Sequence, residues 1–154
     1  MRSRAFALLN GIVLLATLAC HSSLSPDEQR RTELARREAQ WKAAGQHDYV
    51  FDYDVMAMVA TPPVRVEVRA DTVYRVVERA TGQDLTAQRT WPTIDALFAE
   101  LDTLVTRRDI DLSVTYDAQR GYPTLIATDV QKTPDTFITT RVTNFVPVGL
   151  VYLQ

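Results

Sequence analysis

Cys20 is the only cysteine among 154 residues, and its neighbours prepare it for one kind of chemistry, thioether attachment of a lipid. Arg2 and Arg4 give a short positive start, Ala5 to Ala19 is nearly all apolar, and the run closes as Thr17-Leu18-Ala19-Cys20. Charge, apolar stretch, small residue and cysteine, in that order, read as a bacterial lipoprotein signal cut before Cys20. Leucine is usual three positions before the cysteine, and Thr17 stands there instead. Two other readings stay open: a secretory signal cleaved without lipidation, and an uncleaved anchor. A membrane-spanning helix wants about 20 apolar residues; this run is shorter and carries Asn10 in its middle.

Other groups offer less. The two histidines, His21 and His47, stand far apart in sequence and form no metal-binding pair. No serine, cysteine and histidine set suggests a nucleophile, and the five glycines never cluster as a phosphate cradle. Asp52 and Asp54 share one strand face, about 7 Å apart by strand rise, so a cation could bridge them. Alternating acids on a wet face need no such reason. Met56 and Met58 on the same face could form an adaptable apolar patch, or lie beneath the first helix or the chain's tail. The hairpin made by Tyr116, Asp117, Gly121, Tyr122 and Pro123 is the candidate recognition surface, against the plainer reading of a tight turn. No catalytic residue, metal site or cofactor is expected.

Charge narrows the partners. The chain carries 17 basic and 19 acidic residues, and the balance becomes 15 to 19 once Arg2 and Arg4 are removed. No basic field is available for nucleic acid. With Cys20 taken by the anchor no disulfide can form, so an apolar core must hold the fold; a hydrophobic fraction of 46% makes that feasible.

The elements that position these groups are legible. Residues 1–19 read as signal peptide, 20–25 as lipidated cysteine and tether, and 26–154 as one domain. Ser25-Pro26-Asp27-Glu28 predicts a helix start with a capping box, and Gly45 an end near Ala44. Glu33 with Arg37 and Glu38 with Lys42 are favourable i,i+4 pairs. The apolar stripe, chiefly Leu34, Ala35 and Trp41, is thin, so the second half should dock while the first turns stay in solvent. Alternation from Asp48 to Val59 predicts a strand with Tyr49, Phe51, Tyr53, Val55, Ala57 and Val59 on the buried side. Strands at about 64–69 and 73–79 follow. Thr93 caps a second helix bearing Ile94, Leu97, Phe98, Leu101, Leu104 and Val105 on one face, with Arg107-Arg108 expected in its last turn. Strands at 111–117, 122–130 and 135–146 complete the order helix, three strands, helix, three strands. That is an α+β domain: an antiparallel sheet of about six strands with two helices packed on one face.

Several segments together resemble a family of uncharacterised bacterial lipoproteins and secreted proteins built on one domain of unknown function. They are Trp41, Tyr49, Pro63 to Val68, Pro92 to Phe98, Val114 to Asp117, Gly121 to Thr124 and Ile126 to Asp129. The likeness covers roughly 40–147. Many members carry a Cys-x-Cys pair late in the first strand, where Met56-Ala57-Met58 stands here, so a disulfide or thiolate site implied by the resemblance is absent. The resemblance implies the fold and an envelope setting, and no activity.

The expectation is a non-enzymatic, lipid-anchored protein of the bacterial cell envelope, held to the membrane through Cys20, facing the periplasm and engaging a protein partner. His21 in place of aspartate after the cysteine leans toward the outer membrane. The alternatives are a small-ligand carrier with a pocket lined by Tyr49, Phe51, Tyr53, Phe98 and Leu101, and a carboxylate-dependent hydrolase.

Overall fold

Helix α1 runs from Pro26 to Ala44, and both of its ends are closed as the residue types dictate. The Ser25 hydroxyl accepts from the Glu28 amide (3.3 Å), while the Glu28 carboxylate accepts from the Ser25 amide (2.8 Å). Gly45, at φ 58°, ends the helix in the left-handed region and donates to the Lys42 carbonyl. These features belong to a computed structural model that describes residues 24–59, 61–130 and 136–149. The signal segment with Cys20, the 133–135 turn and the 150–154 tail lie outside the described residues.

Strands β1 (Tyr49–Met56), β2 (Val64–Arg69) and β3 (Thr72–Glu78) form one antiparallel meander. After α2 (Ile94–Leu104), strands β4 (Ile110–Tyr116), β5 (Pro123–Val130) and β6 (Ile138–Pro147) form a second. The meanders join through β1 and β6, giving a six-stranded sheet in the order β3-β2-β1-β6-β5-β4 among the described residues, antiparallel throughout. The α+β architecture and the order of its elements are those expected from the sequence.

The helix side of the sheet holds the core. Tyr49, Phe51, Val64, Val66, Val68 and Val76 are fully covered and meet Ile94, Leu97 and Leu101 of α2. From α1 only Leu34 and Trp41 are buried; Ala35 is exposed, and the first turns stand in solvent. Trp41 packs edge-on against Tyr49, Tyr122 and Phe145, with ring centroids 5.4 to 6.1 Å apart. The Tyr49 hydroxyl accepts from the Ile94 amide (3.0 Å), which ties β1 to the start of α2, where Thr93 caps the Ala96 amide. α2 stops at Leu104, one turn before Arg107-Arg108; Arg107 pairs with Asp109 instead of closing the helix.

Candidate functional site

One carboxylate is wholly buried among the described residues, and it lies on the sheet face that carries no helix. Asp52, in the middle of β1, is 0% exposed. Alternation sends it away from the core, so its cover comes from other charged chains. Arg65, directly across on β2, donates Nε at 2.8 Å and Nη2 at 3.3 Å to its two oxygens. Arg79, just past β3, places Nε 3.2 Å away. Asn144 of β6 donates Nδ2 at 2.7 Å.

Asn144 reaches Asp52 because the β1–β6 register shifts between Val50 and Asp52. The extra residue sits at φ 50°, a region asparagine tolerates better than most. The same bulge turns Phe145 to the helix side, where it stacks on Tyr49 (5.3 Å) and Tyr122 (4.8 Å). A single irregularity therefore serves the ion cluster on one face and the aromatic core on the other.

Burial alone would raise the Asp52 carboxyl, but hydrogen bonds from Arg65 and Asn144 and the nearby guanidinium charges bring it below its ordinary value. It stays ionised: its Oδ2 takes contacts from Arg65, Arg79 and Asn144, and its Oδ1 accepts from Arg65. The place a cation would occupy between Asp52 and Asp54 is taken by Arg79, which contacts both, at 3.2 and 3.8 Å. No group of three or more His, Cys, Asp or Glu suited to a metal occurs among the described residues.

Beside the cluster lies a shallow depression of about 340 Å³ lined by Asp54, Met56, Thr61, Pro63, Thr139 and Arg141. Asp54 sits opposite Arg141 in the register, and its Oδ1 is covered yet accepts no hydrogen bond. Met56 and Met58 are exposed, at 58% and 76%. α1 packs on the opposite face and does not cover them.

The hairpin singled out from sequence is docked on α1. Asp117 closes the turn through its side chain, accepting from the Gln119 and Arg120 amides. Gln40 donates to the Ala118 and Gln119 carbonyls, and Arg37 to that of Asp117. Gly121, at φ 81°, lies so close to α1 that a Cβ there would stand 2.6 Å from the Arg37 carbonyl oxygen. Tyr122 and Pro123 are buried, and Tyr116 is half-buried beneath Arg37. What the hairpin leaves to solvent is mainly Ala118 and Gln119.

The five side chains expected to line a carrier pocket are core. Tyr49, Phe51, Tyr53, Phe98 and Leu101 are 0 to 8% exposed and belong to one apolar cluster. Sequence reasoning placed Asp52 on a wet face and did not single out Arg79 or Asn144. The available signal was weak: an Asp opposite an Arg in adjacent alternating strands, and a lone Asn in a β-branched run.

No curated protein matches the chain. A family of unknown function, DUF6174, matches residues 33–147, from the middle of α1 to the end of β6, a span that contains the Asp52 cluster, its depression and the docked hairpin. The chain belongs to that family of unknown function, DUF6174.

Proposed function

We propose that the protein is a lipid-anchored component of the bacterial cell envelope that acts by binding, without catalysis, through the open face of its sheet. The address rests on the Arg2–Cys20 leader. The binding role rests on one observation: Asp52, the group best placed for acid–base work, is wholly buried and held in its charged form by Arg65, Arg79 and Asn144. Held in this way, the cluster acts as a pin. It locks guanidinium groups that are themselves 40 to 57% exposed into a fixed array, a surface suited to a polar partner. The partner is taken to be another envelope protein, approached from the periplasm, with the outer membrane favoured.

A photocrosslinking residue placed at Arg141, inside the open face, and another at Arg36 on the exposed side of α1 test this directly. The cells are fed a fatty-acid probe, with a Cys20→Ser strain as control. The expected result is acyl label lost on Cys20→Ser and a discrete crosslinked protein from Arg141 alone. Absence of any crosslinked band from Arg141 removes the binding role, and label unaffected by Cys20→Ser removes the address.

A second reading, a small-ligand carrier, is favoured by a groove of about 250 Å³ between α1 and the edge strand β4. Its floor is Leu112, Val114 and Tyr116, and its rim Gln29, Arg30 and Glu33. Binding of an apolar dye that Val114→Trp abolishes would support the carrier; dye binding indifferent to that change would end it.

A further inference from the structure

We infer that the end of the sheet where the described chain begins is a lipid-contacting rim, with Leu24, Met56, Met58, Val59, Phe137 and Ile138 lying against the bilayer. This rests on lipidation of Cys20 as proposed above and adds an orientation to it.

The six side chains are 45 to 80% exposed, a dense set for a domain whose other large apolar side chains are mostly buried. Register brings five of them to one end. Met56 ends β1 opposite Thr139 of β6, with Phe137 and Ile138 just before it, and Met58 and Val59 just past the end of β1. Leu24 reaches the same end because α1 runs alongside β4 in the same direction. Arg30 shares a depression with Asp111, Leu112 and Phe137, whereas Arg37 and Gln40 hold the β4–β5 hairpin at the far end. The start of α1 therefore stands where β4 and β6 begin and β1 ends.

Chain length supplies the occupant. Four residue steps separate Cys20 from Leu24, which reach at most about 14 Å when fully extended. With acyl chains on Cys20 embedded, the end of the domain that carries Leu24 is held within that reach of the headgroups. It carries charges of both signs: Asp27 pairs with Arg30 in the first turns of α1, and Arg107 with Asp109 just before β4. Apolar contact, rather than attraction to anionic lipid, is what the rim offers.

The test uses the full lipidated chain in phosphatidylethanolamine–phosphatidylglycerol vesicles. Met58→Cys, at a site too exposed to endanger folding, carries an environment-sensitive dye. Gln119→Cys, at the far end, carries the same dye as control. Doxyl-labelled lipid is expected to quench the Met58→Cys dye about twofold and leave the Gln119→Cys dye unquenched. Mass analysis of the Cys20 peptide and vesicle flotation report the anchor independently. Flotation with an acylated Cys20 but no quenching at Met58→Cys overturns the rim and leaves the anchor standing. Equal quenching at both positions also overturns it. An unacylated Cys20 without flotation overturns both.

Discussion

The two faces of β1 are built by opposite means. Toward the helices, Tyr49 and Phe51 are covered by rings and aliphatic chains, and their burial needs no partner of a particular charge. Toward the open side, Asp52 is covered equally well, but only by Arg65, Arg79 and Asn144, each drawn from a different part of the chain. Apolar burial is additive and forgiving of small shifts, whereas an ion cluster is conditional on all its members and on pH. The helix side should therefore set how stable the fold is, and the open side under which conditions its surface keeps its shape.

The largest effect should come from the helix side. Phe51→Ala removes a fully buried ring from the aromatic cluster and is expected to cost about 4 kcal/mol, read as a lowered urea midpoint with unchanged slope. A cost comparable to that of an open-face variant would erase the contrast between the faces. Gly121→Ala comes next, at about 3 kcal/mol, because it combines a left-handed backbone with a 2.6 Å approach to a carbonyl of α1. Its loss should appear as amide exchange in the second half of α1, since the hairpin is what clamps that segment. Protection there unchanged from the parent chain would show that α1 docks without the hairpin.

How much of this was legible in the sequence follows from the range of the forces involved. Period-two alternation in β1 and the helical stripe of α2 are local patterns, and both elements begin where those patterns put them, though β1 ends at Met56, which leaves Val59 exposed, and α2 ends at Leu104, before Arg107-Arg108. The capping box of α1 is equally local. Asp52's burial was not legible, because its partners come from 13, 27 and 92 residues away and one depends on a bulge in β6. Trp91 was overlooked for a related reason. Between β3 and α2 there is no periodicity to follow, yet its indole is buried and donates to the Leu85 carbonyl (2.9 Å), making a small apolar knot. The hairpin's contact with α1 is a meeting of two surfaces, invisible to a reading of either segment alone.

The open face gives the next test. Asp52→Asn keeps the side chain's size but withdraws the charge that Arg65 and Arg79 answer and turns one acceptor oxygen into a donor, and an expected loss of about 2 kcal/mol at pH 7 follows. Both arginines can relax toward water, which keeps the loss below that of the buried ring. The sign with pH is fixed. The folded-state carboxyl lies below its ordinary value, so the unfolded chain takes up the proton first as pH drops. The stabilisation is present above about pH 4 and is lost as pH falls through the lowered value. Glu33, held down to about 2 by hydrogen bonds from Arg36 and Arg37, acts in the same direction on α1. Unfolding midpoints from pH 7 to 2 should therefore fall less steeply in Asp52→Asn than in the parent chain. Parallel curves would mean that the cluster contributes nothing through its charge.

The smallest effect separates a pinned ion pair from a merely adjacent one on the same face. Arg69 donates to the Glu67 carboxylate and lies over the Tyr74 ring at 4.2 Å, a geometry as tidy on paper as that at Asp52. Yet Arg69 and Tyr74 are exposed, 55% at the arginine side chain, and water competes for every contact they make. An exposed pair also has to immobilise two long chains to exist, which offsets much of the attraction. Arg69→Ala should leave the urea midpoint where it was, and any residual difference should disappear as salt is raised. A midpoint shift as large as that of Asp52→Asn, and insensitive to salt, would mean that charge pairing stabilises this face whether or not the carboxylate is buried, and the distinction between its centre and its edge would fail.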